Sequence, residues 1–133
     1  MLSNVLTKTG INKIKTNPAK APAQVMGVYS KELVEPIANV LKILGSTHVM
    51  VVYSEDGLDE ISIADDTFVA ELNNGVVTTY TINPTDFGLP LGNLEDIKAN
   101  DAEESLALIQ QALDGKEGSA KNIIALNSGA AIY

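Results

Sequence analysis

Four carboxylates fall within six residues in the run Glu55-Asp56-Gly57-Leu58-Asp59-Glu60. The run follows directly on an apolar stretch that ends at Tyr53. Ligands of open α/β sheets bind beyond the carboxyl ends of strands, so a strand here would put the run where chemistry is done. Gly57 suits a sharp turn. Adjacent Asp59 and Glu60 can both reach a hard cation where the backbone is not regular strand. Mg²⁺ is commonly held in this way, by one or two carboxylates with waters and substrate phosphates. A cation would also relieve the mutual repulsion of the four acids. The alternation and terminal Glu of an EF-hand are missing. The competing reading is a solvated acidic loop.

Other residues offer less. His48 sits on an apolar run beside Gly45-Ser46-Thr47, and a structural role with a backbone partner is expected. Thr7-Lys8-Thr9-Gly10 has a single Gly and no strand before it, so it makes a poor phosphate cradle. Asn127 and Ser128 lie in a run of small residues and read as satisfied core polar groups that allow close packing. Tyr29 and Tyr53 end two apolar runs, where packing is their expected role.

Composition narrows the chemistry further. The chain has 133 residues with no Cys and a single His, and its net charge is −8. Zero Cys excludes disulfides, thiol catalysis and thiolate metal sites. One His argues against a Ser-His-Asp triad. The acidic balance argues against nucleic acid or an anionic membrane as the main partner. No apolar run reaches the roughly 20 residues of a membrane span. The start lacks a secretory or transit pattern, and a cytoplasmic location is expected. All nine basic residues are Lys, and none lies between Lys42 and Lys98, a stretch that holds ten acids. Lys8, Lys13, Lys15 and Lys20 precede the first acid, Glu32, and this basic start reads as a poorly packed terminus. Thr16-Asn17-Pro18 reads as a turn.

The elements that must position the acidic run follow from periodicity. Residues 25–29 and 48–53 read as short buried strands. Between them, Leu33, Ile37, Val40, Leu41 and Leu44 recur at helical spacing, with Ser30 as N-cap, Gly45 beyond the C-terminus and an irregular turn or kink at Pro36. Strand, helix and strand within about thirty residues make a parallel βαβ unit. Residues 67–72 and 76–82 are β-prone runs around Asn73-Asn74-Gly75, a hairpin signal. Val76, Thr78, Tyr80 and Ile82 would share one face. Asp101 with Glu104 has capping-box spacing and opens a helix with Ala102, Leu106, Ile109 and Leu113 aligned; Gly115 ends it. Ser119 would cap a last helix that is apolar or small nearly all round, which argues burial. The expected fold class is α/β: a mixed sheet with a parallel βαβ unit, an antiparallel hairpin and flanking helices.

Several runs together resemble one family. They are residues 24–30, Glu32-Leu33-Val34-Glu35-Pro36-Ile37-Ala38, Leu44-Gly45-Ser46-Thr47-His48, Asp56-Gly57-Leu58-Asp59-Glu60-Ile61-Ser62, Asp86-Phe87-Gly88-Leu89-Pro90 and Leu126-Asn127-Ser128-Gly129-Ala130-Ala131. In unbroken order they resemble the C-terminal half of anthranilate phosphoribosyltransferase. The likeness spans residues 16–133, a partial phosphoribosyltransferase-like α/β domain, while residues 1–15 match poorly. It implies a tryptophan-biosynthesis glycosyltransferase that moves a phosphoribosyl group from phosphoribosyl diphosphate to anthranilate. It also implies that Asp59 and Glu60 bind Mg²⁺.

The departures are as specific. The family's Gly-Thr-Gly-Gly-Asp diphosphate loop, its Lys-His-Gly segment and its helical N-terminal domain are absent from this sequence. There is no Arg to contact anthranilate. Tyr53-Ser54 stands where the family usually has His-Gly, and Lys13-Ile14-Lys15 where it has Gly-Pro-Leu. The expectation is therefore a C-terminal portion truncated at both ends, binding Mg²⁺ at most weakly and lacking turnover alone. The alternative is a non-catalytic binding or regulatory module that retains the fold. In either case apolar surface left without its usual cover favours self-association or pairing with another protein.

Overall fold

The structure, a computed structural model, describes residues 21–133. The readings at Thr7-Lys8-Thr9-Gly10, at Thr16-Asn17-Pro18 and of the basic start lie outside the described residues. Strand β1 (Ala23–Gly27) leads through a 3-10 turn (Lys31–Leu33) into α1 (Val34–Ile43) and then β2 (His48–Ser54). Strands β3 (Thr67–Asn73) and β4 (Val76–Ile82) form the hairpin. Two 3-10 turns, Pro84–Phe87 and Leu94–Ile97, precede α2 (Ala102–Leu113) and α3 (Ser119–Ile132). The four strands lie in sequence order, with β1 and β2 parallel and the other pairs antiparallel. The expected mixed α/β sheet, its βαβ unit and its hairpin are all present.

Strand β2 is the axis of the core. Val49 and Val51 point to one face and Met50 and Val52 to the other, and all four are buried, as the two-residue strand period requires. Val49 and Val51 meet Val34, Ile37, Ala38 and Leu41 of α1 together with Ala70 and Leu72 of β3. Met50 and Val52 meet Ile61 and Val69, with Leu126 and Ala130 of α3 packed against them. Burying each such aliphatic side chain is worth about 1.5–3 kcal/mol.

Several helix readings need correction. The buried face of α1 is Val34, Ile37, Ala38 and Leu41, while Val40 and Leu44 are exposed. Pro36 itself lies in the first turn of α1, where its missing N–H is no loss, and the irregular backbone is instead the 3-10 turn at Lys31–Leu33. Its three-residue period shifts the phase counted from Leu33. Ser30 precedes that turn in extended backbone without capping it, its hydroxyl donating instead to the Glu32 carboxylate. At the other end of the chain, α3 has no fully buried residue and Ile132 is 86 % exposed. The helix touches β1, α2 and the turn at Leu94–Ile97, and its Leu126 and Ala130 pack on the cluster of Met50, Val52, Ile61 and Val69, while Ala125, Ser128, Gly129 and Ala131 stay exposed. Ser119 is its first residue rather than its cap; its Oγ donates to Asp96 at 3.0 Å. The apolar stripe of α2 is likewise uncovered, with Leu106, Ile109 and Leu113 exposed. The Asp101 cap is present: Asp101 Oδ1 accepts the Glu104 N–H at 2.8 Å, while Glu104 reaches Asn100 rather than Asp101.

On the face opposite α1, Glu71 of β3 is 8 % exposed and collects three donors. Tyr80 Oη donates to it at 2.9 Å, Asn73 Nδ2 at 3.3 Å, and His48 Nε2 lies 3.1 Å away. The partner of His48 is therefore a carboxylate, not the expected backbone group, and its ring also meets Tyr133 edge-on with centroids 5.3 Å apart. Burial pushes Glu71 up, but the hydrogen bonds from Tyr80, His48 and Asn73 and the charge of His48 outweigh it, so its pKa lies below the ordinary carboxylate value. The Tyr80 hydroxyl is pushed far up by burial and by the Glu71 carboxylate.

Two outcomes follow. The hairpin turns through Asn74 (φ 50°) and Gly75 (φ 78°), the left-handed pair that a two-residue loop demands. Gly75→Ala should cost about 1 kcal/mol in urea denaturation, because a Cβ is strained at that angle. Tyr80→Phe should cost about 1–2 kcal/mol at pH 7 by removing a donor to a charged, mostly buried acceptor. A group with a depressed folded pKa contributes stability above its unfolded pKa and loses it as pH falls through the folded value. The Tyr80→Phe penalty should therefore shrink once Glu71 protonates, and denaturation curves at pH 7 and pH 3 check this.

Candidate metal centre

The acidic run leaves the sheet at the carboxyl end of β2, as read from the sequence. Its backbone is a tight loop. Gly57 N–H donates to the Ser54 carbonyl at 2.9 Å, Ser54 N–H to the Leu58 carbonyl at 3.0 Å, and Glu55 N–H to the Asp66 carbonyl at 3.0 Å. The loop returns through Ile61, Ser62 and Ile63, all buried, before entering β3.

The four acids divide into two pairs. Asp56 is spent on the loop itself: one carboxylate oxygen accepts Leu58 N–H at 3.1 Å and the other accepts the Ser62 hydroxyl. Ser62 Oγ in turn accepts Ala64 N–H at 2.9 Å. Glu55 forms an exposed ion pair with Lys31 at 3.5 Å, and the Lys31 ammonium also lies over the Phe68 ring, 3.1 Å from its centroid. Asp59 and Glu60 are left with no side-chain hydrogen-bond or ion-pair partner among the described residues. Burial, then the charge of Asp59, holds the Glu60 carboxyl above its ordinary pKa. A folded state that raises a carboxyl pKa is opposed by its ionisation, so a cation at the pair would relieve a standing electrostatic cost. No cluster of three or more His, Cys, Asp or Glu exists among the described residues. A cation here would meet two adjacent carboxylates, within the one or two that Mg²⁺ commonly takes from protein when waters and phosphates complete its shell.

Two tertiary contacts place the pair. Gly27, at the end of β1, lies flat against the Asp59 carbonyl; a Cβ there would stand 1.5 Å from that oxygen. Gly within an apolar strand is the sequence signal for such an approach. From α3, Asn127 Oδ1 accepts Ile61 N–H at 2.9 Å, and its Nδ2 donates to the Ile61 carbonyl at 2.9 Å and to the Ile123 carbonyl at 3.0 Å. The satisfied polar role read for Asn127 holds, whereas Ser128, read the same way, is exposed. Tyr29 is exposed and Tyr53 packs on the α1-side cluster.

A second concavity is separate in character. It is an apolar cleft of about 590 Å³ between the uncovered sheet face and α3, lined by Met50, Ile61, Ile82, Phe87 and Leu126 among others, with no charged residue. It was not legible in the sequence, because its walls come from strands and a helix far apart in the chain.

Known proteins share both sequence and shape with this chain. The family model described as glycosyl transferase family, a/b domain, matches residues 6–133, beginning upstream of residue 16. Anthranilate phosphoribosyltransferase of Ruthia magnifica subsp. Calyptogena magnifica is 80 % identical over 118 residues, covering 89 % of this chain and 35 % of that protein. The Marinomonas enzyme of the same name is 62 % identical over 120 residues, with the same shares covered. Anthranilate phosphoribosyltransferase from Saccharomyces cerevisiae in complex with 4-fluoroanthranilate superposes with a TM-score of 0.71 at 25 % identity, over 80 % of this chain and 32 % of that one. The yeast enzyme in complex with PRPP and Mg gives a TM-score of 0.70 at 26 % identity, over 80 % of this chain and 31 % of that one. The chain spans about a third of the length of the curated relatives it matches, over their C-terminal portion. With nearly its whole length matched by the family model and the same α/β fold in the yeast structures, the chain belongs to the glycosyl transferase family through its a/b domain.

Proposed function

We propose that this chain supplies the C-terminal α/β part of an anthranilate phosphoribosyltransferase, the enzyme that transfers phosphoribosyl from phosphoribosyl diphosphate to anthranilate in tryptophan biosynthesis, and that Asp59 and Glu60 are its Mg²⁺ ligands. The observation that carries the reading is the division of the acidic run. Glu55 and Asp56 are engaged by Lys31, Leu58 and Ser62, while the two adjacent carboxylates at the mouth of β2 remain for a cation. The complex of the yeast enzyme with PRPP and Mg supports the choice of ion and co-substrate. Bound there, Mg²⁺ would neutralise charge on a departing diphosphate.

The chain's own residues hold the place for that chemistry. Asp56 and Ser62 shape the loop, and Gly27 lets the Asp59 backbone lie on β1. The remaining interactions with diphosphate and anthranilate are assigned to parts of the enzyme outside this sequence, which has no Arg and no glycine-rich phosphate loop. A second reading is favoured by one observation, the apolar cleft together with the bare faces of α2 and α3. It is a binding module that keeps the fold and associates through those faces. No helix among the described residues is long and apolar enough to cross a membrane.

Adding Mg²⁺ to the chain should move NMR signals at residues 56–60, and Asp59→Ala should abolish those shifts; shifts that map elsewhere would sink the assignment. Incubated alone with phosphoribosyl diphosphate, anthranilate and Mg²⁺, the chain should form no phosphoribosyl anthranilate, and detectable product would overturn the fragment reading. Light scattering separates the second reading: a strict monomer in dilute solution counts against association through the bare faces.

A further inference from the structure

We propose that Asn127 is the positioning residue of the Asp59–Glu60 cation site, acting from α3 on the backbone that carries the two carboxylates. The inference rests on the reading of that pair as Mg²⁺ ligands. Asn127 lies 66 positions from Ile61 along the chain, yet engages both backbone groups of that residue, each at 2.9 Å. The N–H of Ile61 shares a rigid plane with the carbonyl of Glu60. One bond from Asn127 therefore fixes the peptide plane on one side of the Glu60 Cα. The plane on the other side, carrying the Asp59 carbonyl, lies against Gly27. Both planes that flank Glu60 are thus set by tertiary contacts, one to β1 and one to α3.

Asparagine is suited to this task. Its amide presents a donor and an acceptor in one plane, matching the N–H and C=O of a single residue. The second Nδ2 hydrogen goes to the Ile123 carbonyl at 3.0 Å, one turn back in α3, which locks the rotamer. Ile61 itself is 3 % exposed, so its backbone groups have no water to fall back on. Removing the amide would leave a buried N–H and C=O unpaired and free the segment that aims the carboxylates. Groups that orient metal ligands without touching the metal commonly change affinity about 10–100-fold when removed.

The test uses the full chain with Mn²⁺ alone as a paramagnetic stand-in for Mg²⁺, read by broadening of amide NMR signals. Broadening in the unaltered chain should centre on residues 59–61. Asn127→Ala should weaken the apparent Mn²⁺ affinity about 10-fold and speed hydrogen exchange of the Ile61 amide. Asn127→Gln, which keeps the amide but adds a methylene, should also weaken binding and serves if the alanine variant does not fold. Gly27→Ala, which drives a Cβ into the Asp59 carbonyl, should weaken binding by the independent route. Ser119→Ala removes the hydrogen bond to Asp96 at the far end of α3 and should leave Mn²⁺ affinity unchanged, separating positioning from a general loosening of the helix. A folded Asn127 variant that binds Mn²⁺ as the unaltered chain does would overturn the proposal, and so would equal weakening by Ser119→Ala. In both cases the cation reading still stands if Asp59→Ala abolishes binding. Absence of broadening at residues 59–61 in the unaltered chain, or its survival in Asp59→Ala, would mean that the cation reading itself fails and this inference with it.

Discussion

The structure turns on the burial of β2 from both sides. A strand carrying Val49, Met50, Val51 and Val52 in succession has no polar face to give to water, so each side must find cover. Helix α1 supplies it on one side, with Val34, Ile37, Ala38 and Leu41 against Val49 and Val51. On the other side the cover comes from the Ile61 loop and from α3 through Leu126 and Ala130. Once β2 is enclosed, its register with β1 and β3 follows from the pleat, since a one-residue slip would turn the buried set over. The carboxyl end of the strand, where the acidic run begins, then has a fixed place.

The acidic run shows how a fold sorts like charges. Four carboxylates in so short a stretch would repel one another in an extended chain. Folding gives Asp56 two donors within the loop and Glu55 a lysine that is itself seated on Phe68. What is left is concentrated at Asp59 and Glu60, where partial burial and mutual repulsion raise the Glu60 pKa. The same loop delivers Ile61 to the second core cluster. The packing of the sheet and the placing of the two carboxylates are therefore one event, with Gly27 and Asn127 as its two points of contact.

The second face of the sheet is unevenly served. Near β1 it meets α3; further across it opens into the apolar cleft, at whose rim Tyr80 donates to the buried Glu71. The uncovered stripe of α2 and the exposed sides of α3 belong to the same pattern.

Much of this was legible in the residues. The alternation and turn chemistry around Asn74-Gly75 specified the hairpin because positive φ angles are tolerated by few residue types. The nearly unbroken apolar run of β2 specified a doubly covered strand and put the acidic run at its carboxyl end. These are local properties, set by backbone sterics and side-chain period. The sequence alone could not say that Asp56 and Glu55 would be engaged and Asp59 and Glu60 left, that Glu71 would gather His48, Asn73 and Tyr80, or that Asn127 would hold Ile61. Nor could it reveal that α3, apolar on nearly every side, would have no fully buried residue. Those outcomes depend on which distant segments meet, and hydrogen bonding and burial are decided by the neighbours that tertiary structure supplies rather than by position in the chain.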